Sequence, residues 1–403
     1  MKYLVGVALF VSMLANAQPA GEDALRLRAE ALAREMIIVD THIDLPDMLR
    51  ERWEDISQRL PDGEFDYPRA KEGGLKAPFM SIFIDAAEEK KGTAYNSAEE
   101  LIEMVGKFTR DWPEKFDLAG SVADVLKIAG EGKIALCMGM ENGAPIQGKI
   151  ENVAHFYGRG IRYITLAHAK DNHIGDSSYD TTRTWHGLSP FGKQVVAEMN
   201  RVGIMVDVSH ISDEAFFQVM EISKAPVIAS HSSCRFFTPG FERNMSDEMI
   251  RLLAKKGGVI QINFGSSFLT DAYRQRELAA RKVIEAHLAT LNLTRADSAG
   301  KIYEQLYLRD HPLGYADVMD VVAHITHVVT LVGADHVGFG SDFDGVGDEL
   351  PAGLKDVSQY PNLIYNLLKA GYTEDDVRKI SGGNLLRVWR QVEDTARQLQ
   401  SRN

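Results

Sequence analysis

Eight apolar runs recur along this chain, and segments with the helical spacing of apolar residues lie between several of them. The runs are nearly continuous in valine, isoleucine and leucine, which is typical of parallel strands buried on both faces. Strict alternation of apolar and polar residues would instead indicate strands with one face in water. We therefore predict eight parallel strands at residues 36–44, 77–84, 134–141, 161–168, 203–210, 226–231, 258–264 and 336–342.

Helical periodicity is clearest at residues 22–35, ahead of the first strand, and at 191–201 and 213–222. Strands that alternate with helices predict an α/β fold, and eight of them predict a (β/α)8 barrel of the TIM type. A doubly wound open sheet is the alternative, but no glycine-rich phosphate loop follows the first strand. Residues suited to chemistry also follow many strands, which favours a barrel because its strand ends meet at one mouth.

Two segments are longer than ordinary loops. Residues 51–74 are polar and irregular, and residues 266–313, which follow the seventh strand, are charged and prone to form helices. In a barrel, both would lie on the catalytic face as a lid or wall. From residue 372 onward the pattern predicts helices that pack around the outside. No linker or change in composition marks a second domain, so we predict a single barrel domain over residues 18–403.

Residues 1–17 have the pattern of an export signal, with Lys2, an apolar stretch and a small-residue cleavage site at Ala15 and Ala17. The apolar stretch is too short to span a bilayer, and an N-terminal anchoring helix is the alternative. Because no cysteine follows Ala17, we do not expect a lipoprotein anchor. The mature chain is predicted to begin at Gln18, to be periplasmic or secreted, and to lack a transmembrane segment.

Charge and cysteine content narrow the possible partners. The formal net charge is −12 and no basic stripe offsets it, so a nucleic-acid partner is not expected. The two cysteines, Cys137 and Cys234, are associated with different predicted strands. Exported proteins can form disulfides, but one pair is no disulfide framework. We expect two buried free thiols, with a disulfide as the alternative.

Residues of metal-ligand type stand where the predicted strands end. A lone histidine there is more often a hydrogen-bonded core residue, and a lone aspartate is often a helix N-cap, but the joint set favours metal binding. Imidazoles and carboxylates without thiolates suit Zn²⁺, and a glutamate among them could bridge two ions that activate water for hydrolysis. The set comprises His42 and Asp44, which share a strand face, and then Glu141, His168, His210, His231 and Asp342.

Other candidates are weaker. His324 and His327 lie three apart in a predicted helix and could chelate a metal, but we interpret them as surface or packing residues. Asp40 and Asp344 are candidates for groups that support the ligands. Pleat parity further predicts which neighbours face the lumen, namely Val206 and Val208 with His210, Val227 and Ala229 with His231, and Gly338 and Gly340 with Asp342.

Taken together, these motifs resemble the membrane (renal-type) dipeptidase family, zinc peptidases of the amidohydrolase superfamily. The resemblance covers nearly all of the chain after residue 17. It rests on the order and chemistry of several segments, no one of which is specific alone. These are residues 39–46, the pair Gly73-Gly74, and residues 139–142, 163–168, 187–192, 207–210, 230–233, 243–244, 340–345 and 382–384.

The resemblance implies an exported dipeptidase with two Zn²⁺ per chain that hydrolyses dipeptides through a hydroxide bridging the two ions. Dipeptides with a C-terminal D-residue are candidate substrates, and a homodimer is a candidate assembly. The implied roles are as follows: His42 and Asp44 bind one zinc, Glu141 bridges, His210 and His231 bind the second zinc, His168 contacts the scissile carbonyl and its oxyanion, Arg243 binds the terminal carboxylate, and Asp342 acts as acid/base and recognises the amine.

Alternatives remain open. One is a different dizinc amidohydrolase, such as an N-acyl-amino-acid amidase or a lactonase, and another is a non-catalytic barrel that binds a ligand. The complete ligand set and Asp342 favour an enzyme, while Arg243 would have no role with an uncharged lactone. Residues 266–313 depart from the family pattern by being longer and more charged, which leaves the preferred substrate side chains open.

Overall fold

Parallel strands form the centre of the computed structural model of the chain, which describes residues 20–401. In chain order they are β1 (Ile38–Ile43), β2 (Leu75–Phe83), β3 (Phe116–Leu118), β4 (Ile134–Glu141), β5 (Ile161–Thr165), β6 (Met205–Asp207), β7 (Ile228–Ala229), β8 (Val259–Ile262) and β9 (Val337–Phe339).

Eight of these strands close into a barrel. The order β2-β1-β9-β8-β7-β6-β5-β4 is completed by pairing of β2 with β4, and every pair is parallel. β3 pairs only with the start of β4 and lies outside the ring. The predicted TIM-type barrel is therefore confirmed. The short β3 was not predicted, because three residues are too few to show a pattern.

The helices surround this barrel and follow its strands. They are α1 (Ala20–Glu35), α2 (Leu45–Glu51), α3 (Tyr67–Gly73), α4 (Ala86–Lys91), α5 (Ala94–Asp111), α6 (Val122–Gly130), α7 (Glu151–Gly158), α8 (Pro190–Val202), α9 (Asp213–Ile222), α10 (Asp247–Lys255), α11 (Ser266–Leu269), α12 (Asp271–Thr290), α13 (Ser298–Asp310), α14 (Val318–Val332), α15 (Tyr360–Lys369), α16 (Glu374–Arg378) and α17 (Asn384–Gln400).

The predicted insertion after the seventh barrel strand is present. β8 is that strand, and α11, α12 and α13 follow it before the chain returns to the barrel through α14. Residues 51–74 are more ordered than predicted, because Asp66 caps α3 by accepting a hydrogen bond from the Arg69 amide at 2.8 Å. Within residues 20–401, no helix has the length and hydropathy needed to cross a bilayer. The predicted export signal at residues 1–17 lies outside the described part of the chain.

The barrel lumen is filled by side chains from most strands. Val39 of β1, Cys137 of β4, Met205 of β6 and Val259 of β8 belong to one buried cluster, and a shared lumen brings these unpaired strands into contact. Trp389 of α17 joins them, with its ring centroid 5.5 Å from that of Phe79. The C-terminal helices therefore do more than pack around the outside, since α17 closes the end of the barrel opposite the mouth.

Two predicted lumen faces are wrong. Met205 and Ile228 are the residues of β6 and β7 that join the lumen cluster. β6 ends at Asp207 and the chain turns before His210, whose φ is +68°, so strand alternation cannot be extended to that histidine. The same holds for β7, which ends at Ala229. The four residues predicted to face inward belong to the outer core instead: Val206, Val208, Val227 and Ala229.

Gly340 and Gly338 lie too close to neighbouring strands to carry a side chain. A Cβ at this position would lie 1.9 Å from the Ser230 carbonyl oxygen and 2.8 Å from Thr41 Oγ1. A Cβ at Gly338 would lie 2.0 Å from Gln261 Oε1. The small residues thus let β9 approach its neighbours closely, and the space beside them is occupied rather than empty.

Candidate metal centre and active site

All seven strand-end candidates meet at the carboxyl mouth of the barrel. Glu141 is the last residue of β4, His42 is the penultimate residue of β1, and the other five follow strands within three residues. Asp44 occupies the N-cap position of α2, yet its side chain makes no capping hydrogen bond. Its carboxylate is therefore free to face the mouth, and capping does not account for this residue.

Glu141 lies at the centre of the site, and its two carboxylate oxygens face different partners. Oε2 lies 3.3 Å from His42 Nε2, while Oε1 lies 3.0 Å from His210 Nε2 and 3.2 Å from His231 Nε2. His168 Nε2 is 3.5 Å from Oε1. A carboxylate that presents one oxygen to each of two groups of ligands has the geometry needed to bridge two cations.

A second group of ligand atoms surrounds His42. Its Nε2 lies 3.3 Å from Asp44 Oδ2 and 3.9 Å from Asp342 Oδ1. The Asp342 amide donates to the His42 carbonyl at 3.1 Å, so β9 delivers Asp342 beside β1 as the barrel order predicts. Asn263 donates to Asp342 Oδ2 at 2.7 Å and fixes the other carboxylate oxygen.

Three sets of three ligand atoms, each set within 4.8 Å, are found among the described residues. Mixed imidazole and carboxylate donors, nearly all buried, suit Zn²⁺ and other divalent transition metals. His168 is grouped with Glu141 and His210, and Asp342 with His42 and Asp44, although the family resemblance implied catalytic rather than ligand roles for both. The remaining set joins Glu141 with His42 and His231.

Hydrogen bonds behind the site orient the imidazoles. Tyr163 bonds through its hydroxyl to His42 Nδ1 at 2.7 Å, and Ser230 bonds to His231 Nδ1 at 2.7 Å. Both contacts turn Nε2 of the imidazole toward Glu141, which is how supporting residues position metal-binding histidines. Sequence reasoning missed both roles, although Tyr163 and Ser230 lie in the segments that resemble the dipeptidase family.

Asp207 is a further supporting group that the sequence analysis missed. This buried carboxylate accepts from the Ser230 hydroxyl at 2.6 Å and from the Ser230 and Ser209 amides at 2.8 and 3.0 Å. It therefore fixes the two turns that carry His210 and His231. A carboxylate inside an apolar strand was the available signal.

The two aspartates predicted to support the ligands are both close to the site. Asp40 is fully buried and accepts from the amides of His42 and Ser341 at 3.1 and 2.9 Å, so it fixes main chain rather than an imidazole. Asp344 accepts from the Glu64 amide at 2.9 Å and ties residues 51–74 to the mouth.

Burial and charge set the protonation of the central groups. Burial acts to raise the pKa of Glu141, but the imidazoles around it outweigh this and hold the pKa well below its usual value. Burial lowers the pKa of both His210 and His231 well below the usual value, which favours the neutral form that binds metal. Burial also raises the pKa of Asp342 to about 8, reinforced by the nearby carboxylates of Asp44 and Glu141.

Arg243 lies just behind the site and is 3% exposed. Its Nη1 donates to Ser232 Oγ and its Nη2 to the His231 carbonyl, both at 2.7 Å. Its Nε has no partner in the described structure, and none of the ion pairs found there includes this guanidinium. The cation lies 5.2 Å from the ring centroid of Phe268, which lines the mouth.

The other candidates lie apart from this centre. His324 is buried and bonded to the Cys234 amide at 3.0 Å and to the Leu269 carbonyl at 2.9 Å, and His327 pairs with Asp247, so the packing interpretation is confirmed. Cys137 and Cys234 are both buried and free, as predicted.

A cavity of about 410 Å³ opens above the clustered ligands. Glu141, His168 and His210 contribute to its floor, and Phe83, Tyr179 and Phe268 contribute to its walls. A closed parallel barrel with clustered histidines and carboxylates beneath such a cavity defines a metal-dependent enzyme of the TIM-barrel class.

Comparison with known proteins agrees with this class. The profile of the family described as membrane dipeptidase (peptidase family M19) matches residues 26–403. Dipeptidase tcpJ of Claviceps purpurea (strain 20.1) is 32% identical over 383 residues, which are 92% of this chain and 80% of that protein.

Two crystal structures share the fold. The probable dipeptidase PvdM from Pseudomonas aeruginosa is 27% identical, with a TM-score of 0.79 over 93% of this chain and 100% of that one. A metallo peptidase from Rhodobacter sphaeroides, liganded with a phosphinate mimic of the dipeptide L-Ala-D-Ala, is 24% identical, with a TM-score of 0.71 over 89% of this chain and 99% of that one.

The chain belongs to the membrane dipeptidase family, peptidase family M19. It is accordingly a metallo dipeptidase that hydrolyses dipeptides, and the resemblance inferred from the sequence is confirmed.

Proposed function

We propose that this dipeptidase holds two zinc ions that share Glu141, one bound by His42 and Asp44 and the other by His210 and His231. The observation that carries the proposal is the divided carboxylate of Glu141, with Oε2 3.3 Å from His42 and Oε1 3.0 and 3.2 Å from His210 and His231. Zinc bound at such a site supplies an acidified water and polarises the scissile carbonyl.

Asp342 is proposed to transfer the proton of the attacking water to the leaving amine. Its Oδ2 is held by Asn263 while Oδ1 points toward the ligand cluster. From this position Asp342 can accept a proton from the attacking water and pass it to the leaving amine, while burial and neighbouring carboxylates raise its pKa. Its position in the wall of the cavity also suits contact with the ammonium group of the substrate.

His168 is positioned for the carbonyl oxygen. Its ring lines the cavity and packs edge-on against Phe83 at a centroid distance of 4.9 Å, and burial lowers its pKa. Its Nδ1 is buried without a hydrogen-bond partner among residues 20–401. An imidazole fixed in this way can stabilise negative charge that develops on the carbonyl oxygen.

Arg243 is proposed to bind the C-terminal carboxylate of the dipeptide. A buried guanidinium without a carboxylate partner calls for an anion, and its unpaired Nε leaves a donor for one. This feature favours a dipeptidase over a lactonase, since a lactone offers no anion. The ligand of the Rhodobacter sphaeroides structure mimics L-Ala-D-Ala, and we propose that D-residues are accepted at the C-terminal position here as well.

The test is hydrolysis by zinc-loaded protein of L-Ala-L-Ala, L-Ala-D-Ala, the amide of L-Ala-L-Ala and N-acetyl-L-Ala-L-Ala, with zinc counted on the same sample. We expect two zinc ions per chain, turnover of both free dipeptides and poor turnover of the amide and acetyl compounds. One zinc per active chain would refute the shared-glutamate site, and efficient cleavage of the acetyl compound would favour an amidase.

Arg243→Ala tests the carboxylate contact directly. Removing one partner of a buried charge pair should lower kcat/KM for L-Ala-L-Ala. The expected decrease corresponds to a loss of about 2–5 kcal/mol in transition-state stabilisation. The variant should discriminate little between the free acid and the amide, whereas wild-type protein that cleaves both equally well would refute the contact.

Export is also proposed, on the pattern of residues 1–17. Mass measurement of protein from the non-cytoplasmic fraction should give a chain that begins at Gln18. A chain in that fraction that retains Met1 would contradict the proposal.

A further inference from the structure

A second cavity lies beside the catalytic one, beneath the hairpin formed by α12 and α13. Its volume is about 570 Å³, larger than the 410 Å³ of the catalytic cavity. Val346 and Glu349 line both cavities, so the two spaces adjoin across these residues. We call the second cavity the hairpin chamber, and the hairpin that covers it belongs to the insertion at residues 266–313.

The hairpin chamber has an apolar wall. Ala280 and Ile284 of α12 are buried on this side, and Leu308, Pro312 and Leu313 continue the surface from α13 into the following turn. A cavity with this lining suits an aliphatic chain, because burying methylene groups against such a wall is favourable.

The charged residues of the chamber are paired, with one exception. Arg281 pairs with Glu277 at 2.9 Å, Arg295 with Glu304, and Arg309 with Asp310 at 2.9 Å. The exception is an acid at the junction with the catalytic cavity.

Glu349 is that exception. Its Oε2 is buried and has no hydrogen-bond partner among the described residues. Its carbonyl accepts from the Ser266 amide at 2.9 Å, so the residue is fixed at the base of the insertion. Burial raises the pKa of Glu349 to about 7, although hydrogen bonds from Ser267 and the charge of Arg281 oppose the shift.

We propose that the hairpin chamber is a subsite for the side chain of the N-terminal residue of the dipeptide, and that Glu349 selects a long aliphatic side chain ending in a cation, such as lysine. The inference rests on the proposed function above. The chamber adjoins the amine-binding end, because Val346 and Glu349 line both cavities and follow Asp342 in the same loop. Glu349 is thus a specificity-determining residue, and the insertion supplies the space beside it.

The experiment compares three dipeptides on one preparation of zinc-loaded enzyme: L-Lys-L-Ala, L-norleucyl-L-Ala and L-Ala-L-Ala. Norleucine has the aliphatic chain of lysine without the ammonium group. We expect wild-type enzyme to favour the lysine over the norleucine substrate by about tenfold or more in kcat/KM, since tenfold corresponds to one modest charged contact. Glu349→Gln should bring that ratio close to one.

Asp348→Asn is the matched control, because Asp348 also lines the chamber but is already paired with Lys355 at 3.8 Å. That carboxylate is exposed and accepts from the Tyr315 hydroxyl at 2.6 Å, so its loss should leave the lysine-to-norleucine ratio unchanged. A second variant, Ala280→Phe, fills the chamber and should lower the norleucine-to-alanine ratio several-fold. Both are ratios within one sample, so partial loss of folded enzyme does not affect them.

Each result bears on one idea. A wild-type lysine-to-norleucine ratio near one, or a ratio that Glu349→Gln leaves unchanged, would overturn the role of Glu349. An equal loss on all three dipeptides in Glu349→Gln would assign the carboxylate to the α-amine instead and also overturn it. An unchanged norleucine-to-alanine ratio in Ala280→Phe would overturn the subsite. Failure to cleave even L-Ala-L-Ala would instead contradict the proposed function.

Discussion

Charged groups at the barrel mouth and charged groups on the α12–α13 hairpin differ in how they are satisfied. At the mouth, Glu141 has a side chain that is 5% exposed, and Arg243 is buried without a carboxylate partner within the described residues. On the hairpin, Arg295 and Glu304 are paired and their side chains are 35% and 21% exposed. Buried charges that the protein leaves incompletely paired are costly, so they indicate a ligand. Paired and partly exposed charges indicate a water-facing helix surface.

The largest effect should come from removing the central carboxylate of the mouth. Glu141→Ala is expected to lose most bound zinc and nearly all turnover, because both groups of ligands share that side chain. Glu285→Ala removes an exposed glutamate of α12 that lines neither cavity and is the control that should keep both properties. Zinc analysis and kcat on the same samples check this, and a metal-replete, active Glu141→Ala would remove the bridging role.

Asp342→Asn should come next, since it preserves shape and removes the basic oxygen. We expect zinc content to stay unchanged while kcat falls by about 10²–10⁴-fold, the usual contribution of general acid–base catalysis. Asp247→Asn, which alters an aspartate paired with His327 away from the mouth, is the control with unchanged kcat. Loss of zinc in Asp342→Asn would identify Asp342 as a zinc ligand. Near-normal turnover of this variant would exclude a catalytic role for Asp342.

A smaller effect on zinc binding is expected from substituting a residue that supports a metal ligand. Tyr163→Phe removes the hydroxyl that orients His42 and should weaken zinc binding by about 10–100-fold, as is typical for residues that support metal ligands. Tyr95→Phe is matched, because Tyr95 bonds to His155 at 2.9 Å on the surface. Competition with a chelator measures both affinities. Equal affinities in the two variants would mean that packing alone orients His42.

The smallest effect is expected on the hairpin itself. Arg295→Ala should change the free energy of unfolding by only about 0.2–1 kcal/mol, because partly exposed ion pairs contribute little. Denaturant unfolding of the zinc-loaded protein, with Glu304→Ala and the double variant completing a cycle, gives the coupling energy. A coupling energy well above this range would show that the hairpin charges resemble those of the mouth after all.

Much of the barrel could be predicted, because strands buried on both faces leave continuous apolar runs such as residues 134–141. The lengths of β6 and β7 could not be predicted from the sequence. Their apolar runs continue into turns, so the pattern does not show that pairing stops at Asp207 and Ala229. The lumen faces assigned to these two strands were wrong for the same reason.

Some residues of the candidate site could likewise be predicted from the sequence, and others could not. Strand-end position identified His42, Asp44, Glu141 and Asp342 as groups that meet at one mouth, because a closed barrel brings all its strand ends together. Asp207 and Tyr163 were missed, since their roles depend on contacts across the barrel that no local pattern reports. Glu349 lies in a loop without any motif, and only the adjoining cavities single it out.

The sequence alone therefore determined the fold class, the family and the identity of the ligand-type residues, since these depend on local periodicity and on residue chemistry at strand ends. The tertiary structure alone decided which oxygen of Glu141 faces which histidine, which side chains lack partners, and that the insertion covers a chamber beside the site. Those properties arise from distances between residues far apart in the chain. Closure of the barrel sets such distances, and the residue pattern does not encode them one by one.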